Sequence, residues 1–120
     1  MVDYDKFTVY PGILDRVETV MIRRGSKGHL RYERIDSLHD ALRRALNLTS
    51  IKLIESGGGN PVAAAREQWN DSTNTLAIAP GVIVAYGRNE RSNEVLAQNG
   101  IDVISIEASE LVRAAGARGV

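Results

Sequence analysis

The stretch Arg66-Glu67-Gln68-Trp69-Asn70-Asp71-Ser72-Thr73-Asn74-Thr75-Leu76, running on to Ala79-Pro80-Gly81-Val82, decides how this chain is read. It joins a charged helix end, the only tryptophan, an Asn/Asp-rich turn and a Pro-Gly hairpin. Asn70, Asp71 and Asn74 suit the turn because their side chains bond to nearby backbone and tolerate left-handed geometry. Trp69 reads as a core anchor at the helix terminus. Glu67 and Asp71 resemble a carboxylate pair for acid–base work. Four residues apart across a helix end, they read better as a cap or as a partner for Arg66.

Working back from this stretch, Asn60-Pro61 couples a capping side chain to proline at the first helical position, so a short helix should reach about Trp69. Before it, Ile51-Lys52-Leu53-Ile54-Glu55 alternates into a strand, and Gly57-Gly58-Gly59 breaks the chain. Glycines ahead of a helix can cradle an anion on backbone N–H groups. This run lacks the Gly-Lys-Ser/Thr ending of a phosphate loop, and a flexible strand-to-helix connection is the better reading. Working forward, Thr75–Ala79 and Val82–Tyr86 flank Pro80-Gly81 as a hairpin. Asn89 opens a helix ending near Gln98, with Asn99-Gly100 as its stop signal. Ile101–Ile106 alternates as a strand, and Ser109 is expected to cap a last short helix.

The first half shows a similar plan. Phe7–Tyr10 and Val17–Met21 read as strands, with Pro11-Gly12 as turn chemistry between them. Arg23 to Arg31, with its glycines and cations, reads as an exposed loop. Asp36-Ser37 caps a helix whose Leu38, Ala41, Leu42, Ala45 and Leu46 form a one-sided apolar stripe. Phe7–Ile13 and Leu76–Val82 then occupy equivalent places in two hairpin–helix–strand units, a weak internal repeat. Repeated units bury their faces against neighbours, and two alone leave open flanks. The chain is therefore expected to pair with something, a second copy of itself included.

Length and composition set the outer bounds. A chain of 120 residues with 43% apolar content forms one globular domain, residues 1–120, of α/β (α+β) class. Lys+Arg and Asp+Glu balance at 15 each, so no whole-chain field draws nucleic acid or an anionic membrane. Arg23-Arg24 and Arg43-Arg44 read as solvated face. The absence of cysteine removes disulfides, thiolate metal sites and thiol nucleophiles together. No stretch approaches the roughly 20 apolar residues that cross a bilayer. The acidic start Met1–Lys6 is unlike a signal peptide, which makes cytoplasm the default. His29 and His39 are the only histidines and read as surface residues, too few for a metal site. Ser109-Glu110 reads as a helix start. No complete catalytic constellation is present, and neither a metal nor an organic cofactor is expected.

Tyr4-Asp5-Lys6-Phe7, Tyr10-Pro11-Gly12-Ile13, Arg66–Asp71, Asn74 and Leu76 resemble the C-terminal third of the bacterial arginine deiminases. So do Pro80-Gly81-Val82, Tyr86-x-Arg88-Asn89, Asn93, Gly100-Ile101-x-Val103-Ile104 and Ser109-Glu110-Leu111. The resemblance covers nearly the whole chain in order and spacing. It implies a pentein-type β/α-propeller, a fan of five ββαβ modules around a central active site. This chain would supply about two of them, module one about 4–56 and module two about 57–120. Members of that family hydrolyse L-arginine to L-citrulline and ammonia without a cofactor. A cysteine thiolate attacks the guanidinium carbon, a histidine handles protons and acidic residues hold the guanidinium. The family's His-x-Asp and Glu motifs lie upstream of the segment resembled by Val2-Asp3-Tyr4. Counting forward from Glu110 places Val120 about where the cysteine stands in the family. Arg113, Gly116 and Arg118 keep some character of the substrate loop. The resemblance thus implies a C-terminal fragment that is inactive alone. One alternative is a non-enzymatic interaction or self-assembly module on the same scaffold. Another is a small-molecule sensor using the glycine loop with Arg113 and Arg118.

Overall fold

Backbone pairing sorts the strands into three separate sheets, and the pairing partners differ from what hydrophobic patterning alone suggests. The computed structural model describes residues 1–14 and 16–107. Over these the chain forms β1 (Lys6–Val9), α1 (Pro11–Leu14), β2 (Thr19–Arg24), β3 (Leu30–Ile35), α2 (Leu38–Ala45) and β4 (Lys52–Glu55). It continues with α3 (Pro61–Trp69), β5 (Leu76–Ala79), β6 (Val82–Tyr86), α4 (Glu90–Gln98) and β7 (Asp102–Ile106). The mixture of strands and helices is the expected α/β (α+β) class. The last helix expected at Ser109 lies outside the described residues.

The second half folds as read. β5 and β6 are antiparallel across Pro80-Gly81, and β6 pairs in parallel with β7 from Val82↔Asp102 to Tyr86↔Ile106. The hairpin turns because Gly81 adopts φ +73°, a left-handed value that glycine reaches without steric cost. α4 crosses back over this sheet and places Leu96 against Ile83, Ala85 and Ile101; Val2 and Ile54 complete the core cluster. Val2 is held there by backbone bonds. Its N–H donates to the Lys6 carbonyl at 2.9 Å, and its carbonyl accepts from Gly81 N–H at 3.0 Å.

The first half does not repeat this hairpin. Pro11-Gly12 opens the helical turn α1, in which Ile13 N–H donates to the Tyr10 carbonyl at 3.1 Å. Gly12 has no positive φ, so the chain cannot double back as it does at Gly81. β1 instead pairs in parallel with β4, from Lys6↔Lys52 to Val9↔Glu55. The counterpart of β1 is therefore β6, each followed by a helix and a parallel strand. The alignment of Phe7–Ile13 with Leu76–Val82 is off by one strand. Among the described residues, nothing beside β1 plays the part of β5.

A second correction concerns Arg23 to Arg31, which is the end of a hairpin rather than a loop. β2 and β3 pair antiparallel from Thr19↔Ile35 to Arg24↔Leu30. The turn closes on Gly25 N–H, which donates to the His29 carbonyl at 2.7 Å, with Lys27 and Gly28 in left-handed backbone. Cations on an exposed ribbon do not oppose strand pairing, so charge density was a poor guide. Ser37 caps α2 as expected, accepting from Asp40 N–H at 3.1 Å. The stripe is shorter than read, because Ala41 is buried while Ala45 and Leu46 are exposed.

Trp69 is not a core anchor; it is 88% exposed. α3 turns Ala63, Ala64 and Glu67 inward. At about 100° per residue, position 69 lies roughly 200° around the helix from Glu67 and points to water. The whole of β5 is exposed as well, with Leu76 and Ile78 uncovered. Among the described residues, no helix is long and apolar enough to cross a membrane.

These placements predict opposite outcomes for two apolar truncations. Leu96→Ala should lower unfolding free energy by about 2–5 kcal/mol in urea denaturation, because Leu96 is buried in the main cluster. Trp69→Ala should change it by no more than about 0.5 kcal/mol. In the unmutated chain, native tryptophan emission should already resemble that of the unfolded chain.

Candidate functional site

Among the described residues, Glu67 is the only acidic residue whose side chain is fully buried, with 0% exposure. Its carboxylate reaches from α3 to the start of α4, while its backbone carbonyl accepts from Asn70 N–H at 3.1 Å and Ser72 N–H at 2.9 Å. An ionised carboxylate so placed needs donors on both oxygens, since burial without them costs several kcal/mol. Oε1 accepts from Arg91 N–H at 3.0 Å, and Oε2 accepts from Ser92 N–H at 2.9 Å and from the Ser92 hydroxyl at 2.5 Å. Arg91 and Ser92 lie in the first turn of α4, whose N–H groups have no partner within the helix. A negative charge there also meets the positive end of the helix dipole.

Glu67 therefore caps α4 from a different helix. The sequence reading as a cap was right in chemistry and wrong about which helix end it serves. Arg66 is a distant partner, its Nη2 lying 3.9 Å from Oε1 on the exposed side. Because Glu67 serves the first turn, the cap residue Asn89 makes no side-chain bond to its own helix. Its Nδ2 instead donates to the Asn70 carbonyl at 3.0 Å. Asp71 takes φ +56° and Asn74 N–H donates to its carbonyl at 2.9 Å, so this segment is the turn that was expected. Arg91 donates from Nη1 to Glu94 Oε2 at 2.8 Å, and that bond raises the guanidinium pKa above its ordinary value.

The glycine loop is held by the same group of residues. Gly57 N–H donates to Ser92 Oγ at 2.9 Å, so one line of hydrogen bonds runs from loop to hydroxyl to carboxylate. Gly57 has φ +77°, and a β-carbon there would lie 2.4 Å from Ala64 Cα. Only glycine allows the loop to press onto α3. The Asn60 side chain accepts from Val62 and Ala63 N–H, both at 3.0 Å. The first donors of α3 and that of Gly57 are thus engaged within the protein. The loop is a fastened connection and not an open anion cradle.

Beside it, Tyr10, Pro11, Glu55, Ser56, Asn60, Pro61 and Ala64 help line a cleft of about 320 Å³. Glu55 is its one acidic lining residue, and no lining group forms a nucleophile–base pair. His29 and His39 are both exposed, as expected, with His39 Nε2 3.3 Å from the Ile51 carbonyl. Among the described residues, no group of three or more His, Asp or Glu side chains could hold a metal ion. Arg113, Gly116, Arg118 and Val120 lie outside the described residues. The residue that sequence reasoning missed is Ser92, which meets Glu67 across 25 residues and Gly57 across 35. No local pattern marks such a contact.

Two substitutions test the junction. Glu67→Gln is nearly isosteric, yet its amide nitrogen must face a donor, so stability should fall by about 1–3 kcal/mol in urea denaturation. Gly57→Ala should lower it by at least as much, through both the clash and the left-handed backbone.

A model described as arginine deiminase matches residues 1–119 of this chain. The arginine deiminase of Lactococcus lactis subsp. cremoris is 48% identical to it over 119 residues. That of Lentilactobacillus hilgardii is 48% identical over 120 residues, and that of Latilactobacillus sakei 49% over 119. Each match covers 97% of this chain but only 29% of the relative. The chain thus spans less than a third of the length of these relatives. On a match running through nearly all of its residues, the chain belongs to the arginine deiminase family.

Proposed function

We propose that this chain is scaffold from an arginine deiminase and does not turn over arginine by itself. The observation that carries the reading is the absence of cysteine from its sequence. The family's chemistry needs a thiolate to attack the guanidinium carbon and form a covalent intermediate. A valine at position 120 offers no lone pair for that step. The buried carboxylate of Glu67 does not supply the missing function either. Its oxygens accept three hydrogen bonds from α4, leaving no face to fork onto a planar cation.

In this proposal the chain contributes about two of five ββαβ modules, residues 4–56 and 57–120. The shared strand–helix–parallel-strand order of β1–α2–β4 and β6–α4–β7 supports a modular reading. L-arginine is the substrate of the whole enzyme, with L-citrulline and ammonia as products. Arg113, Gly116 and Arg118 would line the substrate loop once the histidine and acidic motifs are supplied from elsewhere.

A second reading, self-pairing through open flanks, is favoured by one observation. Leu76, Val84 and Ile104 form a cross-strand row on the face of the β5–β6–β7 sheet away from α4, and Leu76 and Ile104 are 65% and 44% exposed. Contiguous apolar surface of this kind marks an interface.

Incubating the purified chain with L-arginine and assaying citrulline tests the first reading. The expected result is no product above buffer, and steady turnover would overturn it. Sedimentation velocity across a dilution series tests the second. Self-pairing predicts a dimer that dissociates on dilution, and a monomer at every concentration would remove that reading.

A further inference from the structure

Asn99 is the only asparagine in the chain that precedes glycine, and the pair closes the C-terminal end of α4. Gly100 N–H donates to the Ala97 carbonyl at 3.0 Å and Ile101 N–H to the Leu96 carbonyl at 3.1 Å, the pattern that ends a helix on a left-handed glycine. Gly100 has φ +78°. Leu96 and Ile101, joined by the second bond, both belong to the buried apolar core. One residue on, Asp102 N–H donates to the Gly81 carbonyl at 2.7 Å and starts β7 beside β6. The Asn99 side chain is turned back onto its own helix, its Nδ2 donating to the Val95 carbonyl at 2.7 Å. An asparagine–glycine pair is also chemically labile, because glycine has no side chain to shield its nitrogen from the neighbouring amide carbon. Gly100 is exposed, and apart from its chain neighbours nothing lies within 4 Å of the place a β-carbon would take.

We propose that Asn99 is a deamidation site whose rate is set by opening of the last turn of α4. The Gly100 nitrogen loses its proton to hydroxide or a buffer base and attacks Asn99 Cγ. The N–Cγ bond forms, the Cγ–Nδ2 bond breaks, and the departing nitrogen takes a proton to leave as ammonia. Water then opens the resulting succinimide ring at either carbonyl, leaving aspartate or isoaspartate. In the closed turn three things oppose the attack. Asn99 ψ is 15°, which puts Cβ and the Gly100 nitrogen on opposite sides of the Cα–C bond, where the ring needs them nearly eclipsed. The Gly100 N–H is engaged by Ala97, and the Asn99 side chain is held by Val95. All three lie within the end of one helix, so fraying of the last turn removes them together and leaves Leu96 in the core. Both products weaken the closure. Aspartate has no Nδ2 donor for Val95 and sets a negative charge at the negative end of the helix dipole. Isoaspartate lengthens the main chain by one carbon between positions 99 and 100, so the bonds from Gly100 and Ile101 lose their register and the entry into β7 is released.

The test is incubation of the full chain in mildly alkaline buffer made with heavy-oxygen water, followed by peptide mapping with mass spectrometry. Expected is amide-to-acid conversion of the Asn99 peptide alone, into two products of equal mass that each carry one heavy oxygen. Fraying of a helix end costs little, so the folded chain should react about ten- to a hundredfold more slowly than the chain unfolded in urea. The rate should stay flat in urea below the unfolding transition, since a local opening exposes little surface. Asn99→Gln, whose longer side chain closes a ring far less readily, should give no product and keep the parent circular dichroism. The isolated isoaspartate form should unfold at lower urea than its unmodified parent. A folded-chain rate equal to the unfolded one, or below about a thousandth of it, would overturn the proposal. So would a rate that climbs steeply with urea before the transition, which marks global unfolding as the gate, or an isoaspartate form as stable as its parent.

Discussion

A buried carboxylate at the start of α4 organises this domain. Glu67 reaches from α3 into the first turn of α4 and satisfies two backbone donors and a hydroxyl there. Ser92 passes the connection on to Gly57, so the loop leaving β4 is fixed to the same point. A charge in that position cannot be left half-satisfied, because desolvation makes each missing donor costly. Glu67 thus ties α3 to α4, and Ser92 extends that tie to the loop, alongside the Asn89–Asn70 bond and the packing of Gly57 on Ala64. The apolar cluster of Ile54, Ile83, Ala85 and Leu96 adds burial around that arrangement.

This use of Glu67 bears on function. In a family whose chemistry holds a guanidinium between carboxylates, a buried acid near a cleft invites a catalytic assignment. Its hydrogen bonds argue otherwise, since they are all directed into the fold. The described residues supply walls, caps and a core, together with apolar surface that no other described residue covers. That surface takes two forms. The β5–β6–β7 face carries the apolar row Leu76, Val84 and Ile104, with Asp102 on the same face at the start of β7. The β2–β3 hairpin mixes exposed apolar side chains with cations, Arg24 beside Ile22 and Leu30 on one face and Arg23 and Arg31 with Glu33 on the other.

The second half was legible from its residues because its signals are local. Asn60-Pro61 begins a helix by capping and fixed φ, Pro80-Gly81 turns a hairpin through one left-handed glycine, and Asn99-Gly100 stops a helix. Each effect acts within a few residues. The first half misled for the same reason. Pro11-Gly12 has the composition of Pro80-Gly81, yet Gly12 stays out of left-handed backbone, and the choice follows from β1 pairing with β4 over 40 residues away. Trp69 was misplaced because residue type was read without helix phase. Of the candidate site, the capping character of Glu67 was visible, but its target was not. Ser92 and Gly57 carry no sequence mark that links them to it.

The sequence by itself determined the family, the class of fold, most element boundaries and the lack of a thiol. All of these rest on residue identity, order or short-range stereochemistry. Tertiary structure alone decided which strands pair, which face of α3 is buried, and whether Glu67 is a free acid or a cap. Those outcomes depend on groups far apart in the chain competing for the same hydrogen-bond donors and the same dry volume. No local pattern records which of them wins.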